Sequence, residues 1–239
     1  MTDLHCHILP AIDDGAMDEK EAIALLKEEA KQGVTQIVFT PHFNDSISVD
    51  DFITLRQNSL KRLNEAIENK KNEEFSFRTK LGAEVHYSEN LKNIDLAQLC
   101  FTGTCYLLLE LPFEKEPSDL EEMIEYIVSL GIIPILAHVE RYSYLIDNPR
   151  KLKKLIKLGA LSQANLGAIW RNDDLTLKIV KLINMKLIHV VATDAHSKVK
   201  RPVNFLWGLH VLSQHIKPQK IKKLQENADK IFNNIDIRI

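Results

Sequence analysis

The sequence predicts an α/β barrel, and three observations lead there. Short β-rich apolar runs alternate with longer amphipathic segments, the pattern of repeated strand-helix units around a parallel sheet. Seven such runs read as strands, each followed by a polar loop. Almost every one ends in a histidine or a carboxylate, and a barrel builds its active site at the C-terminal ends of its strands.

The candidate strands occupy residues 2–5, 35–40, 76–84, 105–111, 132–138, 161–166 and 187–193. After the first, Asp18 followed by Glu21 has capping-box spacing, and Gly33 stands where that helix should end. Ser118 and Glu121 repeat the device, closed by Gly131. Asn148 then Pro149 reads as an N-cap and first helical residue, and Gly159 ends that helix before the sixth strand. Pro134 cannot donate to a ladder, so the fifth strand is expected to start late or bulge there. The tail from Pro202 reads as helical in two segments separated near Pro218, a terminal cover over 202–235. No repeat, linker or low-complexity stretch divides the chain, so one domain over 1–239 is the simplest account.

An apolar content of 45% suits a buried core in a chain of 239 residues. A net charge of −2 gives no electrostatic reason to expect nucleic acid. The longest apolar stretches, such as 131–137, are too short to span a bilayer, and the N-terminus has neither a basic lead nor an apolar signal core. A soluble, cytoplasmic protein is expected. Cys6, Cys100 and Cys105 lack CxxC spacing and read as reduced, mostly buried thiols.

The first strand ends in Asp3-Leu4-His5-Cys6-His7, where alternation sends both imidazoles to one side, within reach of one ion. His42, Glu84, Glu110 and His138 close the next four strands, Asp194 and His196 close the seventh, and Asp14 lies in the loop after the first. Taken singly, each is more often a cap or surface group. Together, the nine suffice for three ions, and carboxylates following apolar strands, as at Glu84 and Glu110, are costly to bury without a cation. His189 in the seventh strand and His210 and His215 on the terminal helices read as structural, and His86 is left outside the site. A mixed nitrogen and oxygen shell favours manganese, iron or zinc over calcium. Clustered ions generate hydroxide near neutral pH and clamp the oxygens of an in-line displacement, so hydrolysis is expected. Arg141 and Arg201, on loops leaving the same face, match phosphate geometry as candidate catalytic residues. Asn44, Gln163 and Asn165 also fall near strand ends and could orient substrate or water.

These motifs resemble the PHP (polymerase and histidinol phosphatase) superfamily, specifically its bacterial capsule-operon protein-tyrosine phosphatases, over most of the chain. The opening Asp-Leu-His-Cys-His-Ile-Leu-Pro running into Ile12-Asp13-Asp14-Gly15 is similar to that group's first motif, with cysteine at position 6 where serine stands more often. Thr40-Pro41-His42, Gly82-Ala83-Glu84-Val85, Leu109-Glu110-Leu111-Pro112, Ala137-His138-Val139-Glu140-Arg141-Tyr142 and Thr193-Asp194-Ala195-His196-Ser197 follow in the family's order. The resemblance implies a distorted (β/α)7 TIM-like barrel, the PHP fold, carrying three divalent metal ions, manganese foremost, with iron or zinc as alternatives. It implies His5, His7, Glu84 and Asp194 at the first ion, with Glu84 bridging to a second completed by Glu110 and His138. Asp14, His42 and His196 hold the third, and Arg141 and Arg201 grip phosphate. The implied substrate is a phosphotyrosine-bearing protein, the tail of a membrane-anchored tyrosine autokinase controlling capsular or exopolysaccharide synthesis, with no membrane insertion and no nucleic acid.

Four other readings compete. A histidinol-phosphatase-like enzyme acting on small phosphomonoesters would use the same site. An amidohydrolase also begins with His-x-His, but Glu110 stands where its bridging lysine belongs. An exonuclease would want a more basic balance. A non-catalytic metal module would be closed and sulfur-rich, unlike this open, oxygen-bearing set.

Overall fold

In the computed structural model, residues 1–69, 76–169 and 173–237 are described. In chain order the elements are β1 (Thr2–Cys6), α1 (Glu19–Lys31), β2 (Gln36–Phe39), β3 (His42–Phe43), α2 (Val49–Glu68), β4 (Arg78–Leu81) and β5 (Glu84–His86). There follow β6 (Tyr106–Glu110), α3 (Leu120–Ser129), β7 (Ile133–Leu136), α4 (Ser143–Ile146), α5 (Pro149–Lys157) and β8 (Leu161–Asn165). The chain ends with α6 (Leu166–Ile169), α7 (Asp174–Asn184), β9 (Val190–Ala192), α8 (Phe205–Ser213) and α9 (Pro218–Phe232).

All strand pairs are parallel, in the orders β1-β2-β4 and β3-β5-β6-β7-β8-β9. The expected second strand is realised as two halves, β2 and β3, broken at Thr40 and Pro41, and the third as β4 and β5, broken at Gly82 and Ala83. Pro41 has no N–H to offer, and a Cβ on Gly82 would stand 2.6 Å from the Phe101 ring. Pairing resumes past the break through Gly82 N–H to Phe39 O (2.8 Å) and Glu84 N–H to Pro41 O (3.0 Å). Counting each broken pair as one stave, seven staves close into a distorted barrel. The closing seam joins β9 to β1 through a Cys6–Ala195 bridge, His7 N–H to Ala195 O (2.8 Å) and Asp194 N–H to His5 O (2.9 Å).

Expected boundaries need three further corrections. The third strand starts at Arg78 rather than at 76, and the seventh is confined to Val190–Ala192. Leu187 is still tied to the preceding helix, its N–H donating to Leu182 O at 2.9 Å. The Ser118–Glu121 capping box does not form: α3 begins one residue later with Asp119 as N-cap and no side-chain cap bond. The box's Glu121 pairs instead with Lys151 and Lys154, and the Asp119 carboxylate accepts from the Tyr87 hydroxyl at 2.5 Å. Asp18 and Asn148 do cap α1 and α5, and Pro149 opens α5. Pro134 sits inside β7 without a bulge. Ile133 donates to Cys105 O, just ahead of β6, at 2.7 Å and Ala137 to Leu109 O of β6 at 2.9 Å, so residue 134 turns its nitrogen to the other side, ahead of the first β7–β8 pair at Ile135 and Leu161.

Two apolar clusters hold the barrel. Leu4, Val38, Tyr106, Leu108, Ile133, Ile135, Leu161 and Val190 fill its interior, and Ala228, Ile231 and Phe232 of α9 join them. α9 therefore plugs the N-terminal mouth, leaving the C-terminal mouth to polar residues. A larger cluster lies between the strands and the outer helices. α8 and α9 are the two terminal helices expected over 202–235, except that His215 lies in the turn between them. Cys6 and Cys100 are buried and Cys105 partly so, all three as free thiols. Among the described residues no helix is long and apolar enough to cross a membrane.

Candidate metal centre

The C-terminal mouth gathers all nine sequence candidates. Alternation along β1 brings the Nε2 atoms of His5 and His7 to 3.1 Å from each other. Their other ring nitrogens are occupied: His5 Nδ1 lies 3.2 Å from Gln163 Oε1, and His7 Nδ1 2.7 Å from Asp13 Oδ2. With those Nδ1–H groups donating outward, two imidazole lone pairs face each other, an arrangement that wants a positive charge between them.

Glu84 is the hub. Its Oε2 stands 3.2 Å from His5 Nε2, 3.1 Å from His7 Nε2 and 3.1 Å from His42 Nδ1, while Oε1 meets His138 Nε2 at 2.7 Å. Asp194 Oδ1 lies 3.3 Å from His5, 3.5 Å from His7 and 3.3 Å from His196 Nδ1. Asp14 Oδ1 stands 3.3 Å from both His42 Nε2 and His196 Nε2. Glu110 Oε1 lies 3.5 Å from His138 Nε2. Three sets could each hold an ion: His5, His7, Glu84 and Asp194; His7, Asp14, His42 and His196; and His42, Glu84 and Glu110. His138 joins the last through both of its carboxylates.

The spacing fits a shared cation. Ligand atoms about 2.1 Å from one ion stand about 3.0–3.4 Å apart at octahedral to tetrahedral angles, close to most of these separations. Burial makes the same case: Glu84 Oε2, Asp194 Oδ1 and His196 Nε2 are buried with no hydrogen-bond partner, a costly state for a polar atom that a cation would relieve. Between protein groups alone, protons take the cation's place. Burial disfavours charge on His7 and His138, yet the carboxylates of Asp13 and Glu84 beside the first, and of Glu110 and Glu84 beside the second, lift each to about 10. Burial likewise opposes ionisation of Glu84, but His5 and its other imidazole partners hold it well below the ordinary carboxylate range. His196, buried and facing His7, is pushed down to about 3.

Behind these atoms lies a layer the sequence showed poorly. Gln163 Oε1 accepts the His138 backbone N–H at 2.8 Å as well as facing His5. Its amide donates to Asn165 Oδ1 at 2.7 Å, and Asn165 Nδ2 donates to Asp194 Oδ2 at 2.7 Å. Both residues therefore orient candidate ligands. Asn44, in contrast, turns onto Ser46 in its own loop. Asp13, passed over for its neighbour Asp14, fixes His7 and accepts the N–H groups of His42 and Gly15 at 3.0 and 2.9 Å. The Asp-Asp-Gly run carried that signal, since a Cβ at Gly15 would meet His7 O at 2.1 Å. Asp3 accepts the Thr193 N–H at 3.1 Å and its hydroxyl, tying β1 to β9 under the site. His86, left outside by the sequence reading, contacts Glu110 Oε2 at 3.1 Å. His189 lies at the opposite end of β9, bonded to Ser162 N at 3.1 Å, and takes no part.

Arg141 and Arg201 rim the cluster, with Nη1 atoms 3.7 and 3.6 Å from Asp194 Oδ2, and Arg201 Nη2 is 2.7 Å from Asp14 Oδ2. Both line a cavity of about 480 Å³ beside Asp194, with Asn165 and Thr193 in its wall. This arrangement brings two guanidinium groups to the edge of a set of ligand atoms, as the binding of a phosphorylated substrate to metal would require.

A family model described as capsular polysaccharide synthesis, CpsB/CapC, matches residues 1–233. The tyrosine-protein phosphatase YwqE of Bacillus subtilis is 32% identical over 238 residues, which span 98% of this chain and 92% of that protein. The solved structures of YwqE from Bacillus subtilis and CpsB from Streptococcus pneumoniae, described as unique metal-dependent tyrosine phosphatases, match with a TM-score of 0.88 and 30% identity over 99% of this chain and 96% of that one. An amidohydrolase from Mycoplasma synoviae, 14% identical with a TM-score of 0.59 over 99% of this chain and 88% of that one, shares the fold alone.

Proposed function

The chain belongs to the CpsB/CapC family of capsular polysaccharide synthesis, and on that premise we propose that it is a metal-dependent protein-tyrosine phosphatase. The observation that carries the reading is the convergence of nine ligand residues on one barrel mouth, with buried atoms of Glu84, Asp194 and His196 left without partners beside two arginines. The substrate would be a phosphotyrosine protein, the tail of a membrane-anchored kinase of capsule or exopolysaccharide synthesis, met in the cytoplasm. Residues 1–239 would act as one domain, with the helices of 202–235 packed on the barrel.

His5, His7, Glu84 and Asp194 would hold a first ion, and Glu84 would extend to a second held with Glu110 and His138. Asp14, His42 and His196 would hold a third. The donor set suits manganese, with iron or zinc as alternatives. When bound, the ions supply hydroxide at neutral pH and Lewis-acid neutralisation of the phosphoryl oxygens. Gln163 and Asp13 keep His5 and His7 in the tautomer whose Nε2 lone pair faces inward. Arg141 and Arg201 offer their N–H groups to the non-bridging phosphate oxygens, which would share the guanidinium groups with the carboxylates now beside them. A phenol, ordinarily near pKa 10, leaves as its anion far more readily than an aliphatic alkoxide, which lightens the demand for a proton donor.

A small-molecule phosphomonoesterase is the second reading, favoured by a cavity of about 480 Å³ that would take a whole metabolite. Phosphate release from a phosphotyrosine peptide and from histidinol phosphate by manganese-loaded protein decides between them. We expect the peptide to be preferred. Faster release from the amino-alcohol ester would overturn the substrate, and release from neither would overturn the phosphatase. Replacing His42 or Asp194 by alanine should abolish turnover while the far-ultraviolet circular dichroism is kept.

A further inference from the structure

Phe113 lies in the loop leaving β6, 43% exposed, beside the candidate ligand residue His138. An exposed ring usually moves freely, but this one sits in a pinned loop. The Leu111 N–H donates to the Tyr142 hydroxyl at 2.8 Å, and the Pro112 carbonyl accepts the Tyr144 hydroxyl at 2.7 Å, so both residues before the ring are held. The ring stacks on Tyr142 at 5.7 Å and 24°, and Tyr142 stacks on Tyr144 at 5.6 Å and 22°. On the inner side the His138 ring lies 5.7 Å away.

Arg141 connects this aromatic row to the cluster. Its guanidinium carbon lies 5.1 Å from the Phe113 centroid, while Nη1 reaches to 3.7 Å from Asp194 Oδ2. A phosphate gripped by Arg141 against the ligand atoms must direct its ester oxygen away from them, toward the mouth. The group on that oxygen then leaves alongside Phe113. We propose that Phe113 is a specificity-determining residue, an aromatic shelf held in advance for the ring of an aryl phosphate. The inference rests on the phosphatase reading above and deepens it. Stacking against a fixed ring avoids the entropy of ordering a mobile one, so the contact favours aryl over alkyl esters.

The same geometry could serve only to seat Arg141 by cation-π contact, and the test separates the two roles. Two peptides with identical flanking residues, one bearing phosphotyrosine and the other phosphoserine, are compared as a ratio of kcat/KM in the parent, Phe113→Ala and Phe113→Trp. Any disturbance of Arg141 acts on the phosphate common to both peptides and cancels in the ratio. The expected result is a fall of about tenfold in the aryl-to-alkyl ratio for Phe113→Ala, with the ratio kept by Phe113→Trp. If the ratio stays at the parent's value in Phe113→Ala while both esters slow together, the shelf is overturned and the phosphatase reading stands. Release from neither ester by the parent overturns both.

Discussion

Withdrawing divalent metal should lower thermal stability by an amount the structure sets. Three buried atoms, Glu84 Oε2, Asp194 Oδ1 and His196 Nε2, have no hydrogen-bond partner among protein groups. Each such atom costs about 1–3 kcal/mol, so cations that together satisfy all three are worth at least about 3 kcal/mol. In a chain of this size 1 kcal/mol moves Tm by about 2–4 °C, which gives a rise of at least about 6 °C between chelator-treated and manganese-saturated protein. Saturation at about a hundred times Kd supplies stabilisation of that order, about 2.7 kcal/mol. Glu84→Gln keeps the side chain's size but removes the charge shared by four imidazoles, and its metal-dependent rise should be less than half the parent's. The rise should also shrink on going from pH 8 to pH 6, because protons compete with the cation for His7 and His138. Differential scanning calorimetry after dialysis against chelator, then against manganese, iron or zinc, measures all of this. A parent Tm indifferent to every metal, or a Glu84→Gln response equal to the parent's, would refute the shared-cation argument.

Other perturbations follow from individual contacts. Gln163→Ala, which frees His5 Nδ1 and the His138 N–H, should weaken metal affinity about 10- to 100-fold by chelator competition with circular dichroism unchanged; unaltered affinity would make Gln163 a bystander. His189 is held by burial at about 4 against an ordinary 6.5, so the folded protein keeps it neutral. The stability this gives is complete above pH 6.5 and is lost progressively as pH falls toward 4, about 2 kcal/mol of it between pH 7 and 5. Urea denaturation of His189→Asn should show a correspondingly smaller loss over that interval. Asn148→Ala removes a formed cap and should cost about 1 kcal/mol, whereas Ser118→Ala, whose cap never forms, should stay within about 0.5 kcal/mol.

The candidate ligand residues were legible because they follow apolar runs, and a parallel barrel sends the ends of all its strands to one mouth whatever their neighbours. What depends on strand adjacency was not legible. The His86 and Glu110 contact exists because β5 and β6 pair residues 86 and 110 in register, and no feature local to either stretch announces it. Gln163 serves His5 across 158 positions of sequence, so its amide reads in isolation as one more polar strand residue. The capping box at Ser118 failed by the same logic, since two lysines claim the Glu121 carboxylate that local spacing assigned to the helix. Local signals held where no distant partner competed, as at Asn148.

The backbone itself joins closure of the barrel to the geometry of the candidate ion site. His138 and Asp194 adopt φ of 30° and 54°, in the left-handed region that side-chain-bearing residues avoid. Glycine would relieve a strain of about 1–3 kcal/mol at each position, but it would supply no ligand atom. Each stands two residues past the end of its strand, β7 or β9, where the chain must leave the barrel wall while its side chain still faces the axis. The bonds that hold these conformations also form the site: His138 N–H rests on Gln163, and Asp194 N–H on His5 O, the latter being part of the seam that shuts the barrel. An ion held by His5 and Asp194 would therefore clamp β1 to β9 directly. Barrel closure and the proposed metal binding would use the same two residues, so loss of an ion there should loosen this seam before any other pair of strands, and hydrogen exchange at Asp194 N–H and His7 N–H should accelerate first on chelation.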